Sequence, residues 1–303
     1  GKVVEEWVSK KEPHVVYALE PGEYVLHEEQ APTEQGYVRA EDVKFVVEET
    51  GDVQKAKMED DHTKVSISKT DITDGKEIEG AKLQILDQDG EVVESWTTGE
   101  EHLIEYLPVG TYTLHEEAAV DGYIVANDVE FTVEETGEIQ KVKMEDERAM
   151  GQLVIVKTDT DSKAALEGVE FVLLEKETGK EVGRLKTGKD GKAVSELLPI
   201  GTYENGVFKE PITYVLKETA TLKGYEKTEE EWEIVFTYQN DKTPVIEVVK
   251  EIQNKKIPET PGTVKPGPKT GDDTNWFLPL LALGVSAGMV AGLLYYRKRH
   301  KKA

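Results

Sequence analysis

The chain has 303 residues, with 61 Asp/Glu against 37 Lys/Arg and a formal charge of −24. So acidic a surface is a poor partner for nucleic acid and reads as soluble and self-repelling. There is no cysteine, which excludes disulfides, thiolate metal sites and cysteine nucleophiles, so a staple for small extracellular domains would have to be of another kind.

The chain opens at Gly1 with no initiator Met and no apolar export segment. Its far end reads as membrane-associated, so we expect the C-terminal part of a longer exported protein. Three segments then repeat. GKVVEEW at Gly1 returns as GEVVESW at Gly90, and GEYVLHEE at Gly22 as GTYTLHEE at Gly110 and ITYVLKET at Ile212. Opening strands survive only in the later two copies, as KVSISKTD at Lys64 and QLVIVKTD at Gln152. The expected units are a truncated one at 1–61 and two complete ones at 62–149 and 150–257. Alternating apolar residues and frequent Gly, Pro and Asp turns predict an all-β architecture of tandem antiparallel β-sandwiches.

Successive strand residues face opposite sides of a sheet. Counting by two puts charges on the apolar side. In the second unit Lys69 follows Val65 and Ile67, Glu116 follows Tyr112 and Leu114, and Asp146 follows Val142 and Met144. In the third, Lys157 follows Leu153 and Ile155, Glu218 follows Tyr214 and Leu216, and Asn254 follows Ile252. The first unit keeps Glu28 and Asp60, and its Lys is expected ahead of Gly1. A lone buried charge costs several kcal/mol, so the three groups call for a joint explanation. One is a buried ion network. The other is an intramolecular amide. Burial favours a neutral, nucleophilic Lys and a protonated Glu that polarises the Asp or Asn carbonyl.

Other residues weigh less. Trp7 and Trp96 are expected to pack within the sandwiches. His27 and His115 fall on the face opposite the Glu and are expected to be exposed. The six His have no metal-ligand spacing, Asp71–Gly75 lacks a calcium-loop pattern, and no phosphate loop or nucleophile elbow appears, so no metal or cofactor is expected. The third unit carries an insertion, roughly Glu204 to Thr213, ahead of its Glu218 strand.

Beyond Ile257 a Pro-rich stretch predicts an extended spacer over 258–271. Trp276 to Tyr296 is free of charge and long enough to span a bilayer, with aromatic ends. Arg297, Lys298, Arg299, Lys301 and Lys302 follow it, so 272–303 predicts a transmembrane helix and a basic cytoplasmic tail.

Pro268, Lys269, Thr270 and Gly271, followed by that span and tail, resemble the cell-wall sorting signal read by sortases, with Gly267 where Leu is usual. The resemblance implies cleavage after Thr270 and transfer of its carbonyl to an amine of peptidoglycan or a pilin, with the membrane occupied only before sorting. The repeats resemble the B-type (CnaB-like, prealbumin-like) domains of collagen adhesins and Gram-positive pilins, through LPVGTYTLHEEAAVDGY and the SKTD and KMED strands. Ala119-Val120 stands where that family usually has Ala-Pro. The family implies Glu-assisted Lys–Asn or Lys–Asp isopeptide bonds: Lys157, Glu218 and Asn254; Lys69, Glu116 and Asp146; and, in part, Glu28 and Asp60. The expected function is a braced, non-enzymatic stalk on the cell surface that presents an upstream region. The alternatives are a pilus subunit, the anchor of an upstream enzyme, or an adhesin contacting host extracellular matrix near Phe208.

Overall fold

A computed structural model describes residues 1–259. The spacer beyond them, the Pro268–Gly271 motif, the expected membrane span and the basic tail lie outside the described residues. Among the described residues no helix is long and apolar enough to cross a membrane.

The first unit holds β1 (Gly22–Leu26), β2 (Tyr37–Val38), β3 (Val43–Val47) and β4 (Asp61–His62). The second holds β5 (Lys64–Asp71), β6 (Lys82–Leu86), β7 (Val92–Thr97), β8 (His102–Glu105), β9 (Gly110–Ala118), β10 (Tyr123–Ile124), β11 (Val129–Val133) and β12 (Ile139–Arg148). The third holds β13 (Met150–Asp159), β14 (Glu170–Glu175), β15 (Glu181–Lys186), β16 (Lys192–Val194), β17 (Leu198–Pro199), β18 (Gly201–Glu204), β19 (Val207–Pro211), β20 (Thr213–Ala220), β21 (Glu231–Val235) and β22 (Val245–Asn254).

Each complete unit is a two-sheet sandwich. In the second, the sheet β10-β12-β5-β8 faces β11-β9-β6-β7. In the third, β13 with β16, β17 and β22 faces β15-β14-β20-β21. The all-β expectation holds, but the sandwiches are not purely antiparallel. β5 and β12 run parallel, as do β13 and β22. In each complete unit the first and last strands are neighbours that point the same way, and residue alternation along one strand carries no information on its neighbour's direction.

The cores follow the alternation. Gly151, Leu153, Ile155, Lys157 and Asp159 are the buried members of β13. Leu173, Leu216, Ile234 and Phe236 close the third core, and Leu83, Ile85, Leu114 and Met144 the second. Each such apolar side chain contributes roughly 1.5–3 kcal/mol on burial. In the first unit β1 pairs only with β3 and β2 only with β4. Trp7 is therefore not packed in a sandwich: it is 39% exposed and stacks on His14 at 4.4 Å. Trp96 meets the expectation, packed on the second core and stacked on His102 at the same distance. His27 is exposed and His115 half-buried, each bonded to an Asp (Asp42, 2.6 Å; Asp128, 2.7 Å).

Successive units are joined by one recurring device. Tyr106 of the second unit meets Tyr37 edge-on at 5.4 Å and 69°, and His62 stacks on its other side at 4.0 Å. Tyr203 of the third unit meets Tyr123 edge-on at 5.2 Å and 71°, and the Arg148 guanidinium lies 4.1 Å over its ring. Gly36 and Gly122 precede the receiving tyrosines in the left-handed region, at φ 76° and 89°. A Cβ on Gly36 would lie 2.3 Å from the Tyr106 backbone, and one on Gly122 would lie 2.8 Å from Tyr203 and Phe208. Glycine is required there both by its φ and by the close approach.

Tyr203 immediately precedes the insertion. β18 and β19 form a hairpin turned at Asn205-Gly206, both with positive φ, as a tight hairpin turn needs. Its tip reaches back to the second unit, where a Cβ on Gly206 would lie 2.1 Å from the Glu77 carbonyl. The sequence leads one to expect a surface near Phe208 for an external ligand. Phe208 is instead packed against the third core and edge-on to Tyr203 at 5.5 Å.

Candidate functional site

The fold brings the predicted polar residues together at one place in each complete unit. Lys157 lies on β13 and Asn254 on the adjacent parallel β22, two residues apart in register and facing inward. Glu218 enters from the facing sheet on β20. The Lys157 Nζ donates to Asn254 Oδ1 at 2.5 Å and lies 3.0 Å from Glu218 Oε2. Asn254 Nδ2 donates to Glu218 Oε1 and to Thr221 Oγ1, both at 2.7 Å. The Lys157 and Glu218 side chains are entirely shielded from solvent.

The second unit repeats this with β5, β9 and β12. Lys69 donates to Asp146 Oδ1, and its Nζ lies 2.9 Å from Glu116 Oε2. The backbone N–H of Ala126 donates to Glu116 Oε2 at 2.6 Å, which fixes the carboxyl beneath the lysine. The buried Glu116 and Asp146 carboxyls lie side by side, so that a proton on one bridges to the other.

Burial sets the electrostatics. It pushes the Asp146 carboxyl up to about 7; Glu116 beside it adds to the shift and Lys69 opposes it. Burial also lowers the Lys157 pKa, against the pull of Glu218. The first shift favours an un-ionised acceptor in the second unit, and the second favours a neutral amine in the third. Chemically, the arrangement places an amine within bonding reach of a carboxyl or carboxamide, with a carboxyl positioned to move protons between them.

The first unit does not assemble such a centre. Glu28 is held as Glu116 is, accepting from the Ala40 N–H at 2.7 Å, but Asp60 is exposed in a segment without strand structure. No lysine of the described residues is bonded to either side chain.

Three further residues belong to these centres. Asp71 is fully buried; Tyr123 OH and Arg148 Nε donate to its Oδ2 at 2.8 and 2.6 Å. It therefore links the second centre's lysine strand to the clasp on the third unit. Asp159 is its counterpart and accepts from the Ser162 N–H and hydroxyl at 2.7 and 2.9 Å. Counting one more step past Lys69 and Lys157 along the same strands locates both. Thr221 lies beyond the end of β20, where the alternation stops and sequence carries no signal for it.

Residues 63–148 and 151–211 match the family described as SpaA, prealbumin-like fold domain. The second match ends with the inserted hairpin, at Pro211. Among solved structures the chain is similar to the Bacillus anthracis TIE protein, at 30% identity and TM-score 0.51, over 78% of this chain and 43% of that one. It thus spans less than half of that structure's length. It also matches a streptococcal ancillary pilin (19% identity, 80% of this chain, 77% of that one, TM-score 0.30) and the minor pilin of Streptococcus agalactiae (20%, 67%, 100%, 0.29). No curated protein matches. Residues 63–148 and 151–211 are thus SpaA-like, of the prealbumin-like fold.

Proposed function

We propose that these SpaA-type domains form a covalently braced spacer on the surface of a Gram-positive cell, each complete unit closing an amide between its first and last strands. The observation that carries this is a single one: in both units a buried lysine amine touches a buried Asp or Asn side chain under a buried glutamate.

In the third unit the neutral Lys157 amine attacks Cγ of Asn254. Glu218 accepts the proton that the amine loses and returns it to Nδ2. The new Nζ–Cγ bond forms, the Cγ–Nδ2 bond breaks, and ammonia leaves. In the second unit Lys69 attacks the un-ionised Asp146 carboxyl with Glu116 in the same role, and water leaves. Proximity in the folded core supplies the rate. Each event occurs once per chain, so the reaction is maturation rather than turnover.

The Pro268–Gly271 motif, span and basic tail complete the reading: a sortase cleaves after Thr270 and passes the chain to a cell-wall or pilin amine, leaving the spacer to hold an upstream region away from the wall. An unlinked ion network is the competing account of the buried groups. Intact mass separates the two. The folded chain is expected to be lighter by one ammonia and one water; Lys157→Ala restores the ammonia, Lys69→Ala the water, and Glu218→Ala blocks the ammonia loss. A well-folded chain of unreduced mass rules out the amides.

A further inference from the structure

We infer that Thr221 orients the Asn254 carboxamide for departure of ammonia, and that its hydroxyl marks the third unit's centre as one built for a carboxamide rather than a carboxyl. The inference rests on the amide-forming reading above and adds to it a fourth residue, with a division of labour between the two units.

A primary carboxamide has one acceptor oxygen and two N–H donors. At Asn254 all three are used in different directions: Oδ1 accepts from Lys157, one N–H goes to Glu218 and the other to Thr221. A carboxamide free to flip would turn Nδ2 toward the lysine, where nitrogen faces nitrogen and the leaving group is remote from the proton carrier. The Thr221 hydroxyl accepts the second hydrogen and, with Glu218 accepting the first, holds Nδ2 on the side away from the lysine. As Nδ2 becomes tetrahedral during attack, the bond to Thr221 holds one hydrogen while the other turns away from Glu218, so the new lone pair can take the proton Glu218 carries. Nζ–Cγ forms, Cγ–Nδ2 breaks, and the departing nitrogen takes its own two hydrogens and the one delivered by Glu218.

The second unit supplies the contrast. Three residues after Glu116 stands Ala119, where three residues after Glu218 stands Thr221. The acceptor there is Asp146, a group without N–H donors, with the Glu116 carboxyl beside it. Hydroxyl and carboxamide occur together in one unit; methyl and carboxyl occur together in the other.

The test is a time course of intact mass after cell-free synthesis of the full chain, with water loss from the second unit as the internal clock. Thr221→Val, nearly isosteric, is expected to slow ammonia loss roughly tenfold, about the rate equivalent of one net hydrogen bond, and to leave water loss unchanged. Thr221→Ser is expected to restore the ammonia rate. In a Lys157→Ala background, where no bond can form, Thr221→Val is expected to leave the melting temperature within a few degrees of its parent. Equal rates for Thr221→Val and the unsubstituted chain overturn the inference while leaving the amide reading intact. So does a Ser variant as slow as Val, which assigns the effect to packing. Absence of ammonia loss from the unsubstituted chain overturns the amide reading, and this inference with it.

Discussion

Lys157 and Asn254 stand on adjacent parallel strands, offset by two residues in register, and their side chains meet in the core. Lys69 and Asp146 hold the same relationship in the second unit. A link at this point joins a unit's entry strand to its exit strand, so tension applied at the two ends passes through the link and bypasses the sandwich between. Lys157 and Asn254 are 97 positions apart in the chain and Lys69 and Asp146 are 77.

That bypass is measurable by stretching single molecules. At about 3.4 Å per extended residue, the segment enclosed in the third unit hides roughly 330 Å of contour. Lys157→Ala is expected to release that length as a new unfolding step. An unsubstituted chain that already shows the step has no closed link.

Removing one lysine exposes the electrostatics of what remains. In Lys69→Met, Glu116 and Asp146 face each other without a cation. The causes that raise the Asp146 pKa, burial and Glu116, persist, and the opposing one is gone. Below about pH 4 both folded and unfolded carboxyls hold their protons and the contribution to stability is intact. As pH rises toward 7 and beyond, the unfolded chain loses protons that the folded one retains, so stability falls. Each pKa unit is worth about 1.4 kcal/mol, so the variant is expected to lose several kcal/mol between pH 4 and pH 8. Denaturant titrations across that range check it; a flat profile contradicts the assigned burial.

The clasp between the second and third units can be opened at the hairpin. Tyr203→Ala removes an edge-on aromatic pair, a cation–π contact and a hydrogen bond to the Gly122 carbonyl, together about 2 kcal/mol of coupling. Gly206→Val drives a side chain into the Glu77 carbonyl. Both variants are expected to give a broader distribution of interunit geometries in small-angle scattering, with mass losses unchanged. Unaltered scattering profiles would show that the hairpin is dispensable.

Gly151 tests the third core. A Cβ there would stand 2.2 Å from the Phe236 ring, and overpacking of this kind costs roughly 1–3 kcal/mol. Gly151→Ala is expected to lower stability by that amount in a Lys157→Ala background, as read by chemical denaturation; no change would mean that Phe236 has room to move.

Much of each centre was legible because a strand has only two faces. Once Leu153 and Ile155 are assigned inward, Lys157 has nowhere else to point, and the same logic places Glu116, Asp146, Glu218 and Asn254. Asp71 and Asp159 lay one step further along the same count. What alternation cannot report is a partner's direction or identity. The parallel pairing of β13 with β22 depends on how the chain threads both sheets, and Thr221 lies past the last paired residue of its strand. The insertion misled for a related reason. An added loop with Phe reads as a free surface, whereas its fate was decided by groups in another unit, Gly122 opposite Phe208 and the Glu77 carbonyl opposite Gly206. Trp7 repeats Trp96 in sequence but lacks the second sheet that covers Trp96.

Tyr106 and Tyr203 do not correspond in sequence. Tyr106 precedes a Leu-Pro step, where the third unit has Leu197, and Tyr203, at the edge of the insertion, ends an LPIGTY that matches LPVGTY, whose Tyr is Tyr112. Both nevertheless plug into a glycine-tyrosine socket that the preceding unit carries, capped by His62 in one case and Arg148 in the other. The socket travels with one module and the plug with the next. Genetic duplication or shuffling of whole modules therefore preserves every joint, and the reach of the array becomes a quantity that recombination can lengthen or shorten without any new interface having to arise.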